Sequence, residues 1–258
     1  MKLLFKNIER LGRFFLSLLP LNYKLNHKFQ NKYQVSNTLI ILLALKKKGL
    51  QPNIIIDVGC GYGEWFIKAN KIFKNTQFFL LDADKTNEGK LKKLNEKFSN
   101  FNYKICLLSN DIKEHKFYRM GYGSSLYEEE SEYPRDIDIL TSTTLDKEID
   151  INLIQNPKHV LQSKNIIKLD VQGAEIDVLE GLNDKLSFFE VVILEASVRQ
   201  LNKKSPLFYD VWTFMRKKGY FLYDVFDLKR LGDEKSSLVQ LDCVFVKNNS
   251  FLLEQKLR

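Results

Sequence analysis

The stretch Asn53–Trp65, NIIIDVGCGYGEW, decides the fold. Ile54, Ile55 and Ile56 in succession predict a strand buried on both faces, because β-branched side chains pack well on a pleat and parallel sheets are covered on both sides. Asp57 is expected to close that strand. Gly59, Gly61 and Gly63 then alternate with Cys60 and Tyr62, and glycine there allows a sharp turn with a ligand lying against the backbone. Trp65, Phe66 and Ile67 open an apolar helical pattern, so the loop runs into a helix N-terminus whose free N–H groups face a ligand. Strand, glycine loop and helix make the nucleotide-cradling corner of an α/β sheet.

The same alternation extends outward. A helix over Glu64 to about Phe73 leads to a second buried strand, Gln77–Leu81 (QFFLL), ending at Asp82. A polar helix over roughly Asn87–Phe98 precedes a third strand over roughly Asn102–Leu108. Further on, Ile166–Leu169 (IIKL) ends at Asp170 and Val191–Leu194 (VVIL) ends at Glu195, with a helix over Ala174–Leu182 between them. A helix over Leu207–Lys218 is followed by two last strands, Tyr220–Phe226 and Leu241–Val246, close enough to pair antiparallel around a loop at Gly232. Together these predict a doubly wound, Rossmann-like α/β sheet of about seven strands, mostly parallel with an antiparallel end. Asp111–Leu145 breaks the pattern: it is polar and carries Gly121, Gly123, the acidic run Glu128–Glu130 and Pro134. Inside a compact domain such a stretch is expected to be a lid or binding excursion, here a hairpin over the open end of the sheet.

Upstream, Ser36 reads as the N-cap of a helix reaching Lys48, stopped by Gly49 and Pro52. In residues 1–25, Leu4, Ile8, Leu11, Phe15 and Leu18 recur at helical spacing, with Lys2, Lys6, Arg10 and Arg13 on other faces. The uncharged run Phe14–Tyr23 is too short to span a bilayer, and Pro20 interrupts it. The preferred reading is a helix docked on its own domain or on a second copy in a homo-oligomer; peripheral contact with a membrane surface is the alternative.

Composition narrows the class. The 258 residues are 44% hydrophobic and 28% charged, ordinary for a globular protein, and suit one large domain or one domain with appendages. The net charge of +8 comes from lysines spread along the chain with no arginine-rich patch, so a nucleic-acid partner is not expected. Cys60, Cys106 and Cys243 form no C-x-x-C pair and sit in or beside strand-like runs. That fits a reducing, cytoplasmic compartment and argues against a disulfide framework or a zinc site.

Asp57, Asp82, Asp170 and Glu195 each terminate a predicted strand on the edge where such sheets bind ligands. Asp82 lies a little over twenty residues past the glycine loop, the spacing at which an acid faces the ribose hydroxyls of a bound adenosine. Two charge-assisted hydrogen bonds of about 1.5–3 kcal/mol each would make it a main anchor. Glu64 stands where the dinucleotide fingerprint needs its last glycine, which disfavours a nicotinamide-dependent oxidoreductase. No P-loop lysine is present. An adenosyl group with an amino-acid tail, as in S-adenosylmethionine, suits the G-x-G-x-G that is.

DVGCGYG with its strand-end acid resembles the class I S-adenosylmethionine-dependent methyltransferases, and IIKLDVQGAEIDVLEGL (Ile166–Leu182) resembles the hallmark of the FkbM-type family. LSN (Leu108–Asn110), GSSL (Gly123–Leu126) and TTLD (Thr143–Asp146) match it in the same order, from Ile54 to about Glu195. The resemblance implies that Asp57, Gly59, Gly61 and Gly63 line the methionine end of the cofactor, with Cys60, a small residue the tight turn tolerates, counted among the cofactor-binding residues. It further implies that Asp82 holds the ribose, with Ala83 beside it among the cofactor-binding residues, that Ser109 and its neighbours lie by the adenine, and that Asp170 sits near the transferring methyl. Asp170 or Glu195 is then the expected base, with His115 and His159 as alternatives. Ser124, Ser125 and Tyr127 are expected on the acceptor side, where Tyr122 and Tyr127 could stack on a sugar ring. Gln172 stands where many relatives carry Glu, and an amide ligates a hard cation less strongly than a carboxylate, so divalent-metal dependence is left open.

The sequence thus divides into an N-terminal helical extension (1–50), a Rossmann-like methyltransferase domain (51–250) with a hairpin insertion at 111–145, and a tail (251–258). The activity implied is O-methylation of a hydroxyl on a sugar, glycan or secondary metabolite. A non-catalytic S-adenosylmethionine-binding protein and an RNA methyltransferase are the alternatives.

Overall fold

The computed structural model describes residues 36–153, 164–231 and 237–254. The helical pattern of residues 1–25, His159, Gly232 and the last four residues lie outside them. The described residues form a seven-stranded sheet in the order β3-β2-β1-β7-β8-β10-β9 and a three-stranded sheet in the order β4-β6-β5. The large sheet comprises β1 (Ile54–Val58), β2 (Gln77–Asp82), β3 (Phe101–Ile105), β7 (Asn165–Leu169), β8 (Phe189–Ser197), β9 (Tyr220–Leu231) and β10 (Ser237–Lys247). β1 pairs in parallel with β2 and β7, and β7 with β8; β10 runs antiparallel to both β8 and β9. The chain builds outward from β1 to β3, then returns to β7 on the other side of β1. The strand order therefore reverses between β1 and β7, and the crevice at their carboxyl ends is the place such sheets offer a ligand.

Every residue of β1, β7 and β8 is buried. Alternation along each strand divides the core in two. On one face Ile56, Phe79, Ile167 and Val192 pack with Val178 and Leu179 of α5 (Glu175–Glu180) and Val211 and Met215 of α6 (Phe208–Lys217). On the other, Ile55, Phe78, Ile166 and Val191 pack with Ile41, Leu42 and Leu45 of α1 (Asn37–Lys47), Phe66 of α2 (Glu64–Ile72) and Leu91 of α3 (Glu88–Asn95). Phe66 meets Phe78 edge-on at 4.9 Å and tilts over Phe101 at 4.6 Å, tying α2 to β2 and β3. The three α1 side chains are at most 1% exposed, and burying each contributes about 1.5–3 kcal/mol. Part of the predicted extension thus packs into the sheet's own core.

Several boundaries differ from the sequence reading. Ser36 occupies the N-cap of α1, but its side chain makes no capping bond. The expected third strand divides at Cys106: Leu107–Leu108 forms β4, which pairs with β6 (Asp136–Thr143) and not with β2. The excursion is the expected hairpin, β5 (Glu114–Arg119) antiparallel to β6, and α4 (Leu145–Leu153) follows it. Asp57 lies one residue short of the end of β1, and Glu195 lies inside β8, opposite Asp242 of β10, not at its end.

Candidate functional site

The crevice at the β1/β7 reversal holds a cavity of about 320 Å³. Its floor is the glycine loop, where each glycine answers a different demand. The N–H groups of Gly59 and Cys60 both donate to the Leu81 carbonyl, at 2.9 and 3.1 Å, which folds the loop over the end of β2. A Cβ on Gly59 would lie 1.9 Å from the Asp170 carbonyl oxygen, so this glycine lets two backbones touch. A Cβ on Gly63 would strike Leu94 at 2.5 Å. Gly61, with φ +55°, has nothing within 4 Å of that position and lines the cavity. Of the three, it alone leaves room for a ligand against the backbone.

Asp82, at the tip of β2, forms one side of the cavity. Its Oδ2 accepts from Gly61 N–H at 2.6 Å, and its Oδ1 accepts from Asp84 N–H at 2.8 Å and Asn87 Nδ2 at 3.2 Å. Burial raises its pKa against the lowering effect of these bonds. Ala83 lines the same side. Leu107 and Leu108 of β4 and Phe117 of β5 form an apolar wall, and the loop after β5 brings Tyr122, Ser124 and Ser125 to the mouth. The Ser124 hydroxyl accepts from Met120 N–H and donates to the Gly121 carbonyl. That of Ser125 donates to the Gln172 carbonyl at 2.8 Å and accepts from Tyr127 N–H. Both hydroxyls shape the loop. Tyr122 reaches across to Tyr62 of the glycine loop, hydroxyl to hydroxyl, and Lys90 lies 4.1 Å from the centre of the Tyr62 ring.

The remaining side belongs to the turn after β7. Asp170 lines the cavity with its side chain 39% exposed. Burial pushes its carboxyl up, but Lys168, Lys229 and a bond from Gln172 together hold it below the ordinary carboxylate value. Lys168, the penultimate residue of β7, is a charged residue the sequence reading passed over. Its Nζ lies 3.2 Å from Asp57 Oδ1 and 3.4 Å from Asp170 Oδ2, and donates to the Gly59 carbonyl at 3.3 Å. Asp57 is fully buried, and neither of its oxygens has a partner in hydrogen-bond geometry. Burial lifts its pKa to about 6, although the Lys168 charge opposes this. Burial opposes the charge on Lys168, but the two carboxylates win and its pKa rises. A lysine inside IIKL was the available signal, since a central buried strand carries a cation only when it is paired.

The structure therefore brings Gly59, Gly61, Asp82, Ala83, Ser124, Ser125 and Asp170 to one cavity. It does not bring the others there. Asp57 lies beneath the loop, and Cys60 is 6% exposed with its thiol held well above the ordinary value by burial and by Asp57 and Asp82. Ser109 packs its carbonyl against Gly181, while its neighbours Leu107 and Leu108 line the cavity. The Tyr127 hydroxyl donates to Asp177 at 2.8 Å, and His115 pairs with Asp111. Glu195, 5% exposed, stands behind Asp170; burial and the Asp170 charge raise its pKa more than Lys229 lowers it. Among the described residues, no three His, Cys, Asp or Glu side chains are arranged to hold a metal ion. Among them, no helix is long and apolar enough to cross a membrane.

Comparison with known proteins adds the following. The model of the methyltransferase FkbM domain matches residues 67–222, more than half of the chain, and begins just after the glycine loop. No curated protein matches the sequence. Similar solved structures include precorrin-6y C5,15-methyltransferase from Geobacter metallireducens (13% identity, 83% of this chain and 90% of that one, TM-score 0.42). The 1,6-didemethyltoxoflavin-N1-methyltransferase of Burkholderia thailandensis, solved with S-adenosylhomocysteine, is 9% identical over 86% of this chain and 84% of that one (TM-score 0.42). The fibrillarin pre-rRNA processing protein of Methanococcus jannaschii is 9% identical over 83% and 76% (TM-score 0.46).

Proposed function

Because the chain belongs to the FkbM methyltransferase domain family, we propose that it is an S-adenosylmethionine-dependent O-methyltransferase acting on a hydroxyl of a sugar, glycan or secondary metabolite. The observation that carries this reading is Asp170, an ionised carboxylate on the wall of a cavity whose floor, at Gly61, is open backbone. The residues present fit the cofactor. The space at Gly61 suits an amino-acid tail, Asp82 suits a pair of ribose hydroxyls, and Leu107, Leu108 and Phe117 suit a flat apolar base. The volume falls in the range of about 300–1,000 Å³ typical of small-molecule sites. When bound, S-adenosylmethionine supplies a methyl group that is already electrophilic.

The chain's own residues then have a limited task, to align an acceptor and take its proton. Gly61 and Asp82 hold the donor side. Asp170 receives the hydroxyl proton on its carboxylate. Tyr62 and Tyr122, meeting hydroxyl to hydroxyl, join the glycine loop to the loop after β5 on one side of the cavity. The three cysteines are free thiols, in keeping with action in the cytoplasm. The test is incubation with labelled S-adenosylmethionine and a panel of sugars, glycans and RNA. Base-stable label on a sugar hydroxyl that disappears in Asp170→Asn supports the reading; label on RNA alone, or none with any acceptor, refutes it.

A further inference from the structure

The turn that carries Asp170 holds a second arrangement that the methyl-transfer reading does not use. Gln172 Nε2 donates to Asp170 Oδ1 at 2.8 Å and to Glu195 Oε2 at 2.7 Å, spanning two carboxylates with one amide. The other oxygens are also covered. Lys168 Nζ lies 3.4 Å from Asp170 Oδ2, Lys229 Nζ bonds Glu195 Oε1, and Gln240 Nε2 donates to Glu195 Oε2 at 2.9 Å. Gln240 Nε2 also lies 3.4 Å from Gln172 Oε1, and the two carboxylates favour the amide nitrogen, not its oxygen, toward the acids. Gln172 has φ +52°, an uncommon conformation for a residue other than glycine, and its carbonyl is held by Ser125. The backbone is thus set so that the side chain reaches both strands.

We propose that Gln172 is a positioning residue that stands where a divalent cation would otherwise bind, so that the Asp170–Glu195 pair takes no metal. All four carboxylate oxygens face donors supplied by the chain: two ammonium groups and two amides. A hard cation needs oxygen ligands facing it, and here it would have to displace an amide N–H and an ammonium. Replacing the amide by a carboxylate would turn the one donor that spans the pair into a third acid, creating an oxygen-rich site.

Calorimetric titration with Mn²⁺ alone, paired with thermal unfolding, tests this without cofactor or acceptor, so its outcome is independent of methyl transfer. The wild-type chain is expected to show the same response to millimolar Mn²⁺ as Asp170→Asn. Gln172→Glu is expected to bind Mn²⁺ roughly tenfold or more tightly than wild type and to gain thermal stability from it, because charge count sets affinity at such sites; adding Asp170→Asn should remove the gain. Wild-type Mn²⁺ binding that Asp170→Asn abolishes would overturn the proposal, as would a folded Gln172→Glu chain indifferent to Mn²⁺. The wild-type comparison decides the matter even if Gln172→Glu does not fold.

Discussion

Asp82, Lys168 and Asp242 each carry a consequence that a single substitution exposes. Asp82→Ala removes the carboxylate assigned to the ribose and is expected to weaken S-adenosylmethionine binding about ten- to a hundredfold, a loss of roughly 1.5–3 kcal/mol. Calorimetry giving unchanged affinity would take Asp82 out of the site. Lys168→Met leaves Asp57 and Asp170 without the ammonium between them. Removing one partner of a buried pair costs about 3–5 kcal/mol, and denaturant unfolding should show it. Adding Asp57→Asn should recover part of that loss; strict additivity of the two changes would mean they do not interact. Asp242 faces Glu195, Asp170, Asp227 and Lys229, and burial followed by those acids lifts its pKa from 3.8 to about 8. An acid raised on folding keeps its proton while the unfolded chain loses it, so this contribution falls as pH rises between those two values. Asp242→Asn should therefore raise the unfolding temperature more at about pH 9 than at about pH 5. An equal effect at both would show that Asp242 is not held protonated.

The elements that a sequence shows best are those whose pattern is unambiguous. β1, β2 and β7 are short, mainly apolar runs between turn residues, and each formed where that pattern placed it, with Asp57 and Lys168 held inside β1 and β7. β8, β9 and β10 run longer than their apolar cores because Glu195, Lys229 and Gln240 continue the strands while bonding one another, with Asp242 inside β10 facing Glu195. Polar residues at a strand end and polar residues paired inside a strand look alike in sequence, and for this reason Glu195 was misread as a terminus. The division at Cys106 was equally invisible, since periodicity does not say which sheet a strand joins. The resemblance places Ser109 and its neighbours by the adenine, and of these Leu107 and Leu108 line the cavity. Glycine had the opposite difficulty: the loop was legible, but only the packing shows that Gly59 serves the Asp170 backbone and Gly61 the cavity. Gly59→Ala is expected to abolish or severely weaken folding, because its Cβ would overlap a carbonyl oxygen. Gly61→Ala should fold more readily, with only the strain of its positive φ, yet lose affinity for the cofactor. Comparing both by circular dichroism and calorimetry checks the assignment; equal folding defects would undo it.

At the scale of the molecule, a sheet reversing between β1 and β7 sets Gly61, Asp82 and Asp170 around one cavity, although they lie on three separate turns. Phe117 of β5 and the loop that follows it line one side of that cavity, and Ser125 ties that loop to the Gln172 turn. This cavity is where an adenosyl sulfonium nucleoside is expected to bind. A crystal grown with S-adenosylhomocysteine tests that most directly. The ribose is expected beside Asp82, the amino-acid tail over Gly61 and the sulfur facing Asp170; the nucleoside lodged elsewhere, or no binding at saturating concentration, would contradict it.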